Sequence, residues 1–182
     1  IVNGLEVLEE EKDESMRGFA EDLIRKSARQ ASARLQFARL AFGAAGSAGA
    51  AIDIGDAAQI AKGFIEDDRI TLTSDVPRQL LPKNQVKLFL NLLMIASSTI
   101  PRGGKINASV IMDDAGVVFK ISTIGTNARI PAHLELLLRG ESETGTVDAH
   151  SIQPYYTGLL AREAGMHISL SLNDHGVLIE TS

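Results

Sequence analysis

Few side chains in this chain could carry group-transfer or metal chemistry. Its 182 residues hold four histidines (His133, His150, His167 and His175) and no cysteine. Histidine can serve as nucleophile, proton carrier or metal ligand. Without cysteine there is no thiolate zinc site, no cysteine nucleophile and no disulfide scaffold. No HExxH spacing or close His/Asp cluster occurs, so no metal site is expected. His133 falls at the start of a short helical pattern, His150 near another, His167 at the head of a strand and His175 in a turn. Each reads as a surface or capping residue. The run Gly43 to Ala51 (GAAGSAGAA) has three glycines but no GxxxxGK[ST] pattern, so it is not read as a phosphate-binding loop.

The elements that must position any chemistry fall into two parts. Ile1, Leu5 and Leu8, widened by Val2 and Val7, already recur at helical spacing, with no capping residue ahead of them. That pattern predicts a helix already running at residue 1, begun upstream. The acidic run Glu9 to Ser15 reads as a solvated hairpin tip near Lys12. A second helix is expected from Asp13 to Phe42, with Met16, Phe19, Leu23, Ala31, Leu35, Ala38 and Phe42 on one stripe. Two antiparallel helices cannot enclose a core, so a second copy is expected to complete a four-helix bundle. Gly43 is a candidate C-cap, and the small-residue run reads as a joint between domains 1–46 and 52–182.

After the joint the pattern is mixed. Asp53 or Asp56 could cap a helix carrying Ile60, Phe64 and Ile65, and Arg69 to Thr73 alternates as a strand. Lys83 to Ser98 reads as a strongly apolar helix, broken by Pro101-Arg102-Gly103-Gly104. Lys105–Asp113 and Gly116–Thr123 read as a hairpin through Asp113-Asp114-Ala115-Gly116. Pro131 opens a short helix to Leu138. Ala149–Ala164 reads as another helix, with Pro154 either in its first turn or bending it. Met166–Leu172 and Gly176–Thr181 form a closing hairpin. The expected class is α+β, with a helical hairpin followed by helices on one face of a mostly antiparallel sheet. Apolar content of 45% supports a real core, and the net charge of −5 argues against nucleic-acid binding. No run approaches a membrane span, and the absence of cysteine favours the cytoplasm.

The stretch Asn91 to Ile106 (NLLMIASSTIPRGGKI) resembles the asparagine-box region of histidine-kinase ATP-binding domains, and the helical hairpin resembles the kinase dimerisation bundle. Against that family, Ile95 stands where the magnesium-holding Asn belongs, and it has no ligating atom. Thr123, in Thr123-Ile124-Gly125-Thr126-Asn127, stands where the adenine-reading Asp belongs. The run Gly145 to Ser151 lacks the later GxGxxG box. Asn91, Ile95, Thr123 and Gly125 therefore mark a vestigial pocket, with no nucleotide or other cofactor expected. A kinase-like bundle joined to such a domain resembles the ChpT-type histidine phosphotransferases of bacterial phosphorelays. Ile1–Leu8, Ser27–Gln30, Leu35–Phe37 and Ala41–Ala44 also resemble that family's first two helices.

That resemblance implies a protein that shuttles a phosphoryl group between receiver-domain aspartates. Its phosphoacceptor would be a histidine about two to three helical turns before Ile1, with no catalytic residue in this chain. Magnesium would come from the partner receiver. The implied partners are a second copy, the receiver of a hybrid histidine kinase and response regulators. Candidate receiver contacts are Asn3, Gly4, Arg29, Ser32, Gln36, Arg39 and Arg129. Two rival readings are an ATP-dependent histidine kinase, which Ile95 and Thr123 oppose, and a non-catalytic dimeric scaffold that binds response regulators.

Overall fold

The computed structural model describes residues 1–10, 13–43, 51–113, 116–143 and 145–182. It opens with a helical hairpin, α1 (Val2–Glu10) and α2 (Glu14–Ala41). Asp13 caps α2 by accepting from the Ser15 and Met16 amides at 2.8 and 3.1 Å, supplying partners for otherwise orphaned donors. The expected tip at Glu11 and Lys12 lies outside the described residues. The Arg17 guanidinium donates to the Leu8 carbonyl across the hairpin. Gly4 is buried where α1 crosses α2: a Cβ there would lie 2.6 Å from Ile24 Cγ1.

The expected apolar stripe of α2 does not close on itself. Phe19 is 67% exposed and Leu35 72%, and Met16, Leu23 and Phe42 are exposed as well. The buried positions are Ala20, Phe37 and Ala41. The last turns of α2 join the core of the rest of the chain, where Phe37 stacks on Phe64 with ring centroids 4.0 Å apart. The apolar stripe expected from sequence includes Phe42 and Leu35 and leaves Phe37 off it. Phe37 wins because a second layer of helices, not α1, covers that side of α2. The helix ends with Phe42 as its C-cap, one residue before the expected Gly43. Most of the expected joint, residues 44–50, lies outside the described residues.

Next come β1 (Ala51–Asp53), α3 (Ile54–Ile65), β2 (Ile70–Asp75), β3 (Leu80–Pro82) and α4 (Lys83–Thr99). Asp53 caps α3 by accepting from the Asp56 amide at 2.9 Å. β1 and β3 pair antiparallel as a small ribbon. Neither was anticipated, because each spans only 3 residues and shows no usable alternation. The remaining elements are β4 (Gly104–Asp113), β5 (Gly116–Ile124), α5 (Leu134–Leu138), α6 (Ile152–Glu163), β6 (Ile168–Asn173) and β7 (Gly176–Thr181). Of the expected β4–β5 turn, Asp114 and Ala115 lie outside the described residues.

The main sheet runs β2-β4-β5-β7-β6. β2 and β4 are parallel and the other pairs are antiparallel. α4 is buried nearly all round, from Val86 through Ala96, as expected of a helix that is apolar on every face. It packs against the sheet through Phe89 and Phe119, ring centroids 5.4 Å apart. α5 begins at Leu134, not Pro131, because His133 sits in the left-handed region at φ 63°. α6 begins at Ile152, not Ala149, because Asp148 to Ser151 form a side-chain-bonded turn ahead of it.

Candidate functional site

Beyond Asp22, α2 carries Arg25, Lys26, Arg29, Arg34 and Arg39 and no carboxylate, in a chain whose net charge is −5. Arg25 is spent on Asp22 at 2.8 Å. Among the described residues Arg29, Arg34 and Arg39 make no ion pair. Arg29, Ser32, Gln36 and Arg39 are all exposed. Their spacings of three and four put them on one face. The Gln36 side-chain amide donates to Ser32 Oγ at 3.2 Å, within that strip. Such a strip is a long-range attractor for an acidic surface.

The remaining candidates scatter. Asn3 is exposed on α1. Gly4 is enclosed by Ala20 and Ile24 of α2, so its close backbone neighbour is this chain's own helix and it is not an exposed contact. Arg129 is exposed in the loop after β5, whose backbone is tied to α4 where the Arg129 amide donates to the Thr99 carbonyl at 2.9 Å.

The residues that the sequence resemblance matches to a kinase nucleotide site are packed from within. Asn91 is fully buried. Its side-chain amide donates to the Ala41 and Lys87 carbonyls at 3.2 and 2.9 Å, and its oxygen accepts from Gln153 at 3.2 Å. It thereby joins α2, α4 and α6. The Ile95 side chain is buried in the core. Thr123 Oγ1 lies 2.9 Å from Thr99 Oγ1, donates to the Val177 carbonyl at 3.2 Å and accepts from the Val177 amide at 3.1 Å. A Cβ on Gly125 would come within 2.5 Å of the Gly103 carbonyl oxygen and 2.9 Å of Ile100. These groups are engaged in packing one another.

The four histidines do not converge on the long helices. His133 Nδ1 pairs with Glu143 at 2.8 Å, and both line a cavity of about 370 Å³ with Asp148 and His150. Sequence spacing gave no sign of that grouping, because a loop folds back to make it. Asp148 accepts from the Ser151 hydroxyl and from the Ser151 and His150 amides. Those bonds, Ser151's first, hold its carboxyl below the usual range. Burial pushes the Tyr156 hydroxyl up, beside Phe42 at the base of the hairpin. Among the described residues there is no group of three or more His, Asp or Glu that could hold a metal ion, and no helix long and apolar enough to cross a membrane.

Comparison with known proteins gives a consistent picture. Residues 54–176 match the family model of the histidine phosphotransferase C-terminal domain. The chain is 50% identical over 173 residues to protein phosphotransferase ChpT of Brucella abortus (strain 2308), covering 93% of this chain and 80% of that protein. A solved bacterial phosphotransferase superposes with a TM-score of 0.83 at 44% identity, over 99% of this chain and 85% of that one. A histidine kinase domain from Erythrobacter litoralis EL346 blue-light activated histidine kinase shares the fold, with a TM-score of 0.57 at 13% identity over 98% of this chain and 88% of that one.

Proposed function

The chain belongs to the histidine phosphotransferase family, and from that premise we propose that it relays phosphoryl groups between receiver-domain aspartates without using ATP. The observation that carries the reading is a kinase-like fold whose nucleotide devices are occupied by its own packing. Ile95 offers no metal ligand, and all the bonding capacity of Thr123 goes to Thr99 and Val177. A buried hydroxyl already engaged by Thr99 and by the main chain of Val177 gains nothing by turning to adenine.

In this reading the phosphoacceptor is a histidine on the first helix ahead of Ile1. Its imidazole nitrogen attacks the phosphorus of an aspartyl phosphate, the bond to the aspartate oxygen breaks, and the carboxylate is regenerated. The reverse step hands the group to a second receiver. Such transfer depends on positioning and charge neutralisation more than on local machinery, and the receiver supplies the magnesium. The exposed strip Arg29, Ser32, Gln36 and Arg39, with Asn3 and Arg129, supplies the docking side for an acidic receiver. The protein works as a homodimer in the cytoplasm.

The test uses the full-length protein with a receiver carrying labelled phosphate. Label should move onto the protein, and from it to a second receiver. Calorimetry with ATP and magnesium should show no heat of binding. Receiver binding without transfer of label would favour a scaffold, and micromolar ATP binding would favour a kinase.

A further inference from the structure

The two edges of the main sheet are treated differently. At the β2 edge two of the outward amides are taken by side chains. Ile70 donates to Asp67 at 2.8 Å and Leu72 donates to Glu66 at 3.1 Å, which blocks strand addition there. At the other end β6 pairs with β7 alone. His167 and Ser182 exchange both main-chain bonds at 2.8 and 3.0 Å. Pairing alternates along an antiparallel ladder, so Ser169 and Ser171 also bond inward to β7. The N–H and C=O groups of Ile168, Leu170 and Leu172 then face the open edge. β6 reads Ile-Ser-Leu-Ser-Leu-Asn, with no Lys, Pro or charge to guard it.

A groove of about 510 Å³ runs beside that edge, between β6 and the α5–α6 pair. Leu138, Ala161, Met166 and Leu170 give it an apolar lining, and Arg139 and Arg162 stand at its wall. Among the described residues neither arginine has an ion-pair partner. Glu135 is the one acidic residue lining the groove, with His167 beside the strand. An acceptor edge, an apolar trough and two unpaired guanidinium groups together match one kind of occupant.

We propose that β6 is a docking edge for an extended acidic segment of a partner protein, which adds as a sixth strand and places its carboxylates on Arg139 and Arg162. Main-chain bonds to Ile168, Leu170 and Leu172 give the affinity, and the two arginines give the charge selectivity. The surface lies in the sheet domain, away from the α2 strip, and the inference stands independently of the phosphotransfer reading.

The probe is a capped seven-residue peptide alternating Val and Glu, compared with its Val/Lys counterpart by fluorescence polarisation on the intact protein. The Val/Glu peptide should bind with a Kd below about 1 mM. It should slow hydrogen exchange at the Ile168, Leu170 and Leu172 amides, and weaken as salt rises. The pair R139E/R162E should lower affinity at least about tenfold. L170P should abolish binding, because proline removes the outward amide, while the inward Ser169 and Ser171 amides keep their slow exchange and show that the β6–β7 ladder persists despite the lost packing of the Leu170 side chain. Several outcomes would overturn the proposal: binding of neither peptide, equal binding of both, or binding without protection of those amides. Self-association through β6 that L170P prevents would also overturn it, by assigning the edge to a second copy.

Discussion

Asn91, a residue type that can serve catalysis, is engaged here in architecture. Its amide bridges three helices from a fully buried position. Asn91→Ala strips the Ala41 carbonyl of a buried partner, while the Gln153 amide keeps the residue-91 main-chain carbonyl and Thr157 Oγ1. The expected loss is about 1–3 kcal/mol, read as a lower denaturation midpoint with an unchanged slope. Asp148 makes a complementary prediction at the surface. Its carboxyl is held below the ordinary 3.8 by bonds that favour the charged form. The contribution is therefore present at neutral pH, above the unfolded value. It is lost as acidification carries the pH down through the lowered folded one. Amide exchange at His150 and Ser151 should quicken as the pH falls below about 4, after correction for intrinsic rates. Asp148→Asn keeps an acceptor but no titrating group, and should flatten that response.

At the scale of elements, Gly4 opposes helix propensity to packing. Alanine there would gain about 1 kcal/mol of intrinsic helix preference. It would also place a Cβ 2.6 Å from Ile24 Cγ1, and overpacking costs about 1–3 kcal/mol. Gly4→Ala should therefore lower the melting temperature, and Ile24→Ala, which removes both Cγ1 and Cδ1, should cost less stability in the Gly4→Ala background than in the parent. The same element shows what the sequence could and could not reveal. The long helices α2 and α4 were legible because their apolar periods run for many turns, and both hairpins of the main sheet were legible from their turns and alternation. β1 and β3 were not, since 3-residue strands carry no period. The start of α5 was missed because a non-glycine residue, His133, adopts φ 63°, which residue type does not announce. The resemblance singles out Asn91, Ile95, Thr123 and Gly125, but only the fold brings Thr123 to Thr99, 24 residues away in sequence. Gly4, a candidate receiver contact by sequence, is instead enclosed by Ala20 and Ile24 of α2.

For the whole molecule, the decisive fact is that the hairpin is finished on one side only. The α3 side of α2 is sealed by Phe37 on Phe64, while Val2, Leu5, Met16, Phe19 and Leu23 remain exposed along the upper hairpin. An apolar surface of that extent on a pair of helices calls for a cover, and the proposed homodimer supplies it by stacking two hairpins into four helices. Burial of a Phe side chain stabilises by about 1.5–3 kcal/mol, and twofold symmetry counts each side chain twice. Phe19→Glu removes both contributions and sets two carboxylates in the seam. It should raise the dimer dissociation constant by at least about a hundredfold, since each tenfold is about 1.4 kcal/mol. Sedimentation equilibrium should show a concentration-dependent dimer for the parent and a monomer for the variant. The near-ultraviolet signal of the sheet domain should stay intact, because Phe89 on Phe119 and Phe37 on Phe64 lie outside the seam. A parent protein that sediments as a monomer at tens of micromolar would leave the exposed stripe without its proposed cover. The four-helix platform on which the receiver strip rests would then have to be abandoned.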